Sequence, residues 1–210
     1  MLTVNFITNK FFNSRTYILS KEGCDCVWLV DCGDPDVILD MIGEKTVDGV
    51  LLTHAHSDHI YGLEQLLIKF PEVRIYTNAI GVEELRSPKL NLSHYHSEYP
   101  DILVDEPNNV FVLEDGSELN VIGESCKVLE TPGHAPSCLT YLIEDNAFTG
   151  DAYIPGVKVF TSFPRADRKR AAVSVERIKE LIPNYHIMPG HTVIEGSTSP
   201  YISHDGKANI

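Results

Sequence analysis

The 210-residue chain is 43% hydrophobic and 22% charged and has no low-complexity stretch or repeat, a composition that predicts one globular domain over residues 1–210 rather than a disordered segment. A formal net charge of −13 argues against a nucleic-acid partner, because phosphates are neutralised by Lys and Arg; the cluster of Arg165, Arg168, Lys169 and Arg170 reads as a solvated helix start. No basic-then-apolar leader occurs, and no run of about 18 apolar residues, so no membrane partner is expected and a cytoplasmic location is the default.

The N-terminal third predicts strands at 2–8, 15–20 and 26–31, rich in β-branched and aromatic residues. Five cysteines, an odd number in a chain large enough to bury a core, do not form a disulfide framework, and Cys24, Cys26 and Cys32 read as strand residues rather than ligands. A helix follows, with Asp34 as N-cap, Pro35 at the first position, Val37, Ile38, Met41 and Ile42 on one apolar face, and Gly43 as its stop.

The segment GVLLT (49–53) predicts a strand running into THAHSDH (53–59), and a helix with Ile60, Leu63, Leu67 and Phe70 on one face ends at Pro71. Further strands are predicted at 73–77, 110–113, 118–122, 126–131, 139–144 and 147–150, with hairpin turns at Asp115-Gly116 and Asp145-Asn146. A second helix is predicted from Arg168 to Ile182, with Val175, Ile178, Leu181 and Ile182 inward, then a short strand over 186–191. Residues 87–109 show no period and read as a functional or mobile loop. Strands in runs with helices between them favour two packed sheets with helices outside.

The spacing H-x-H-x-D-H at His54, His56, Asp58 and His59 brings four metal-ligating groups within six residues. At a strand end, His54 and His56 point the same way by the period of two, and Asp58 and His59 sit where the loop turns into the next helix. His134 in TPGH, Asp151 in FTGD and His191 in MPGH each end a β-like segment beside a glycine that allows close approach. They complete a coordination that the first four groups leave unfilled. His94 and His96 read as exposed loop residues, and His186 and His204 as surface or hydrogen-bonded ones.

The ordered set THAHSDH, PGH, GD, PGH, with the early LVDCG (29–33), resembles the metallo-β-lactamase superfamily, and within it the glyoxalase II-like hydrolases. The resemblance covers nearly the whole chain. It implies an α/β (α+β) fold, a four-layer αββα sandwich with the site along one edge. It also implies that His54, His56 and His134 bind one metal, Asp58, His59 and His191 a second, and that Asp151 bridges both. His59 beside Asp58 resembles the two-metal hydrolases more than the antibiotic-degrading members.

Two divalent ions about 3.5–4 Å apart can hold a shared hydroxide at neutral pH, and the expected function is hydrolysis of a small ester, thioester or lactone. Asp58 is the candidate catalytic residue, as the group that orients the nucleophile or passes on its proton. Asp31 is a candidate partner for a ligating imidazole. The donor set suits zinc, with iron and manganese compatible. Competing readings are a mononuclear-iron enzyme resembling the persulfide dioxygenases, a nucleic-acid phosphodiesterase, and a non-catalytic binding module. Tyr95 and Tyr99, with His94 and His96, are placed as a possible pocket cover. Glyoxalase II enzymes hold glutathione with a helical C-terminal extension, whereas 19 residues follow His191 here, with Tyr201 and Lys207 among them. S-lactoylglutathione is therefore expected to be a poor substrate, unless Arg165 and Lys158 reach the pocket.

Overall fold

The computed structural model describes residues 1–97, 100–106 and 108–192. One sheet has six strands side by side in chain order: β1 (Thr3–Thr8), β2 (Arg15–Ser20), β3 (Cys26–Val30), β4 (Thr46–Leu51), β5 (Arg74–Thr77) and β6 (Val110–Val112). The other is built from β7 (Glu118–Val121), β8 (Glu124–Glu130), β9 (Leu139–Ile143), β10 (Asn146–Gly150) and β11 (His186–Pro189), with β11 at one edge and then β10, β9, β8 and β7. The helices are α1 (Pro35–Ile42), α2 (Ser57–Ile60), α3 (Leu63–Lys69), α4 (Ala79–Leu85) and α5 (Arg168–Lys179). Among the described residues no helix is long and apolar enough to cross a membrane.

The period of two along each strand creates the layers. Tyr17, Leu19, Trp28, Val30 and Leu51 face Cys126, Val128, Tyr141, Ile143 and Phe148 and form the core between the sheets. Their alternates Ile18, Val27, Leu29 and Val50 turn to the opposite side and pack with Ile38 and Ile42 of α1 and Leu63 and Leu66 of α3. On the far face, Leu129, Leu142 and Ala147 pack with Leu181, Tyr185 and Ile187, beside Ile178 of α5. The result is the αββα sandwich expected from the sequence.

The departures are local. In α1 the inward residues are Ile38 and Ile42, while Val37 and Met41 are 42% and 50% exposed, because an eight-residue helix lying on a sheet needs only one four-residue ridge. The helix predicted through Ile60 and Phe70 is two helices. Tyr61 and Gly62 part them where Cys32 N–H donates to His59 O (2.8 Å) and Gly62 N–H to Cys32 O (3.0 Å), an approach so close that a Cβ at Gly62 would overlap Gly33 O. Asp115-Gly116 is no hairpin; it carries the chain from β6 in one sheet to β7 in the other. The tight turn between β7 and β8 falls at Ile122-Gly123, with φ 52° and 83°, and that between β9 and β10 at Glu144-Asp145, one residue earlier than expected. Helix α5 stops at Lys179 and buries Ala171, Ser174 and Ile178, leaving Ile182 43% exposed.

The described residues of the 87–109 segment are tied into the fold more closely than its composition suggests. Asn91 is fully buried, its O accepting from Ser57 N–H (2.8 Å) and its Nδ2 donating to Ile102 O (2.9 Å), and Ile102 and Val104 join the α1–α3 core. Its sequence hides this because the ties are polar and non-periodic.

Candidate metal centre

Four strand ends supply the site. Past Leu51 the chain leaves β4 with one more link, Leu52 N–H to Tyr76 O (2.9 Å), and presents His54 and His56 before α2 carries Asp58 and His59. His134 lies on the connection from β8 to β9, Asp151 directly after β10, and His191 just beyond β11. Strands β10 and β11 are parallel, with Gly150 opposite Pro189, so their following residues come out side by side. All seven expected ligands are buried and converge.

Three groups have ligand atoms within 4.8 Å of one another: His54, His56 and His134; His54, His59 and Asp151; and Asp58, His59 and His191. The first and last coincide with the two trios named above. Asp151 stands between them, Oδ2 lying 3.4 Å from His134 Nε2 and 3.1 Å from His191 Nε2. His56 Nδ1 and His134 Nε2 are 3.0 Å apart, and His59 Nε2 and His191 Nε2 3.3 Å. Asp58 Oδ2 lies 3.4 Å from His59 Nε2 and 3.3 Å from His191 Nε2.

The outer nitrogens explain why the inner ones face one another. His134 Nδ1 is 2.9 Å from Phe160 O and His191 Nδ1 is 2.9 Å from Phe12 O; a carbonyl only accepts, so both rings carry the proton on Nδ1 and turn Nε2 inward. His59 Nδ1 is 2.8 Å from Asp31 Oδ2, the contact anticipated for Asp31. The Thr53 hydroxyl donates to the same oxygen (2.8 Å), which leaves it able to accept from His54 Nδ1 at 3.1 Å. Asp31 also accepts from Thr53 N–H (2.7 Å).

Burial holds His54 and His56 well below the ordinary imidazole range, helped by neighbouring imidazoles, and holds His134 below it too. Their lone pairs are therefore available. Burial opposes charge on His59 and His191 as well, but Asp58, Asp31 and Asp151 outweigh it for His59, raised to about 10, and Asp151 and Asp58 for His191. Asp151 lies well below the carboxylate range: against burial act His191, His59 and His134. The pocket thus draws positive charge to its centre. His54 Nε2 is buried with no hydrogen-bond partner, an arrangement that a cation resolves. Five imidazoles and two carboxylates fit borderline divalent ions such as zinc, iron or manganese.

Of the other expected residues, several are engaged outside the cluster. His94 pairs with Asp101 (3.2 Å) on the surface, Tyr95 is 64% exposed, and His186 lies 3.6 Å from Asp145. His96 sits with its ring 5.2 Å from that of Phe12. Arg165 is engaged by Glu83 (3.0 Å) and Glu84 (3.7 Å), and Lys158 lies on the same loop. Tyr99, Tyr201, His204 and Lys207 lie outside the described residues. Sequence reasoning missed Thr53, the carbonyls of Phe12 and Phe160, and the ring of Phe163, which packs against His56 and His134. Backbone carbonyls have no residue signature.

The family model of the metallo-beta-lactamase superfamily matches residues 10–191, and the chain belongs to that superfamily. Among curated relatives, a probable metallo-hydrolase, M6_Spy0554 of Streptococcus pyogenes serotype M6, is 28% identical over 215 aligned positions, 99% of this chain and 87% of the relative. The hydroxyacylglutathione hydrolase of Aeromonas hydrophila subsp. hydrophila is 30% identical over 148 residues, 69% of this chain and 49% of that enzyme, so the match spans about half its length. Among solved structures, BLEG-1, described as a B3 metallo-beta-lactamase, superposes with a TM-score of 0.79 at 22% identity, covering 91% of this chain and 92% of the other. At that identity the likeness establishes the shared fold.

Proposed function

We propose that this chain is a two-metal hydrolase, zinc being the first candidate, acting on a small ester, thioester or lactone. His54, His56 and His134 would hold one ion, Asp58, His59 and His191 the other, with Asp151 between them. The observation that carries the reading is the convergence of seven buried side chains, four of whose imidazoles have the outer nitrogen engaged by a hydrogen-bonding partner. The hydrolase names of the relatives agree with it.

When bound, such ions polarise a substrate oxygen and make water acidic enough to attack at neutral pH. The residues supply the rest. Asp58 directs Oδ2 toward His59 and His191, which leaves Oδ1 to take the proton of the attacking water and pass it to the leaving group. Asp31, Thr53 and the Phe12 and Phe160 carbonyls keep the imidazoles from turning, so their positions need no reorganisation as charge develops.

The test is elemental analysis of the purified protein beside a panel of thioester, lactone and phosphodiester substrates. Two equivalents of zinc with ester or thioester turnover support the reading. One equivalent of iron with oxygen uptake, or turnover of the phosphodiester alone, replaces it.

A further inference from the structure

The cluster is sealed unevenly. His54, His59 and His191 are fully buried and His134 and Asp151 are 1% and 3% exposed, whereas His56 and Asp58 keep 6% and 7%. The residual exposure of the cluster therefore lies at His56 and Asp58. Phe163 stands on that side, its ring centroid 5.2 Å from His56 at 72° and 5.6 Å from His134 at 88°. Phe160 packs edge-on against it at 4.7 Å. Phe160 and Phe163 are both half-buried residues beside the cluster.

This aromatic pair is fixed in place. Phe160 O is the acceptor for His134 Nδ1, Ala166 N–H donates to Phe163 O (3.1 Å), and Asp167 N–H donates to Gly133 O (2.8 Å), beside the ligand His134. Arg165, two residues beyond Phe163, is drawn to Glu83 and Glu84 of α4, so its charge is matched there.

We propose that Phe160 and Phe163 form an apolar wall of the substrate site and select a neutral substrate with an aryl or extended alkyl group next to the reacting carbonyl. The inference rests on the hydrolase reading above and goes further by naming the substrate class. A carbonyl seated at the open side, by His56 and Asp58, places its neighbouring group over Phe163. An alkyl or aryl group there loses water-exposed area, and each fully buried methylene adds about fourfold to binding. A carboxylate there would give up water for an apolar aromatic surface that offers it no cation, with Asp58 nearby.

The test uses the metal-loaded full chain and a set of 4-nitrophenyl esters: acetyl, butyryl, hexanoyl, benzoyl and the anionic succinyl. The expected kcat/KM rises from acetyl to hexanoyl by about tenfold or more, with benzoyl above acetyl and succinyl below it. Phe163→Ala brings the hexanoyl-to-acetyl ratio close to one, Phe163→Leu keeps most of it, and metal content is equal in all three proteins. Binding of hexanamide and benzamide, followed by calorimetry, gives a readout apart from turnover and weakens in Phe163→Ala. A flat series in an active wild type, a preference for succinyl, or a series unchanged in Phe163→Ala overturns the wall and leaves the hydrolase reading standing. Amide binding lost in Phe163→Ala, in a protein that hydrolyses no ester, supports the wall and removes the hydrolase reading; no binding and no hydrolysis overturns both.

Discussion

Asp31 serves three donors with two oxygens: Thr53 N–H, the Thr53 hydroxyl and His59 Nδ1–H. Asp31→Asn keeps one accepting oxygen and turns an NH2 toward a donor, so His59 loses its fixed orientation. Metal affinity is expected to fall about 10–100-fold, as is usual when such a partner is removed. Competition with a chelating dye measures it, and an unchanged affinity would separate Asp31 from the centre. Glu84 gives a pH prediction. It is 1% exposed, and burial, against the Ser137 hydroxyl and Arg165, raises its carboxyl to about 7. In the unfolded chain it ionises near 4.5, so the contribution of Glu84 is fully present below that pH and is lost as pH rises to about 7. Glu84→Gln should therefore gain stability relative to the native chain between pH 5 and pH 8, by about 2–3 kcal/mol at most. Denaturant melts at the two pH values decide it; a difference that does not change with pH rejects it. At this scale the sequence was most legible, because a ligand's chemistry is carried by its identity: the spacing of His54, His56, Asp58 and His59 could be read without a fold. Phe12 O and Phe160 O could not, since any residue supplies a carbonyl and only the backbone decides where it points.

Strands β10 and β11 bring two ligands together through paired glycines. Gly150 has φ 51° and sits against Thr53, and a Cβ at Gly190 would overlap Asp151 Oδ1. Gly190→Ala is expected to disturb Asp151 before it disturbs the sheet, with bound metal falling to half or less while the far-ultraviolet circular dichroism is kept. Full metal content in that variant would show the contact to be slack. The strands were legible because the central ones, β2, β3, β9 and β10, are buried almost throughout and so are dense in apolar, β-branched and aromatic residues. Turns were less so: Ile122 adopts φ 52° in the β7–β8 turn although a β-branched residue resists it, and the pairing of the strands on either side holds it there. The break between α2 and α3 was hidden for a related reason. Its cause is the distant Cys32–Gly33 backbone, which no local pattern records.

Seven polar groups at the edge of a sandwich make the whole molecule depend on what they hold. Stripping metal should lower the melting temperature by about 8–16 °C, since a ligand at a thousand times its Kd contributes about 4 kcal/mol and a domain of this size shifts about 2–4 °C per kcal/mol. Calorimetry with and without a chelator checks this, and an unmoved transition would mean that the centre adds nothing to folding. The two ends of the fold are also joined there. The turn at Phe12 and Asn13 grips His191 through Phe12 O, Arg15 N–H donates to Gly190 O (2.7 Å) and Thr192 N–H to Asn13 O (3.0 Å). That clasp has a consequence for the nascent chain. His54, His56, Asp58 and His59 leave the ribosome together, and His191 follows 132 residues after His59, roughly 7–26 s at ordinary rates of translation. Through that interval the growing polypeptide displays at first four and, once His134 and Asp151 have followed, six of the seven ligands without completing the centre, a state in which copper outcompetes zinc or iron for the same nitrogens. Geometry can discriminate among metals only after the C-terminal strand docks, so the order of synthesis favours a chain that folds empty and loads afterwards.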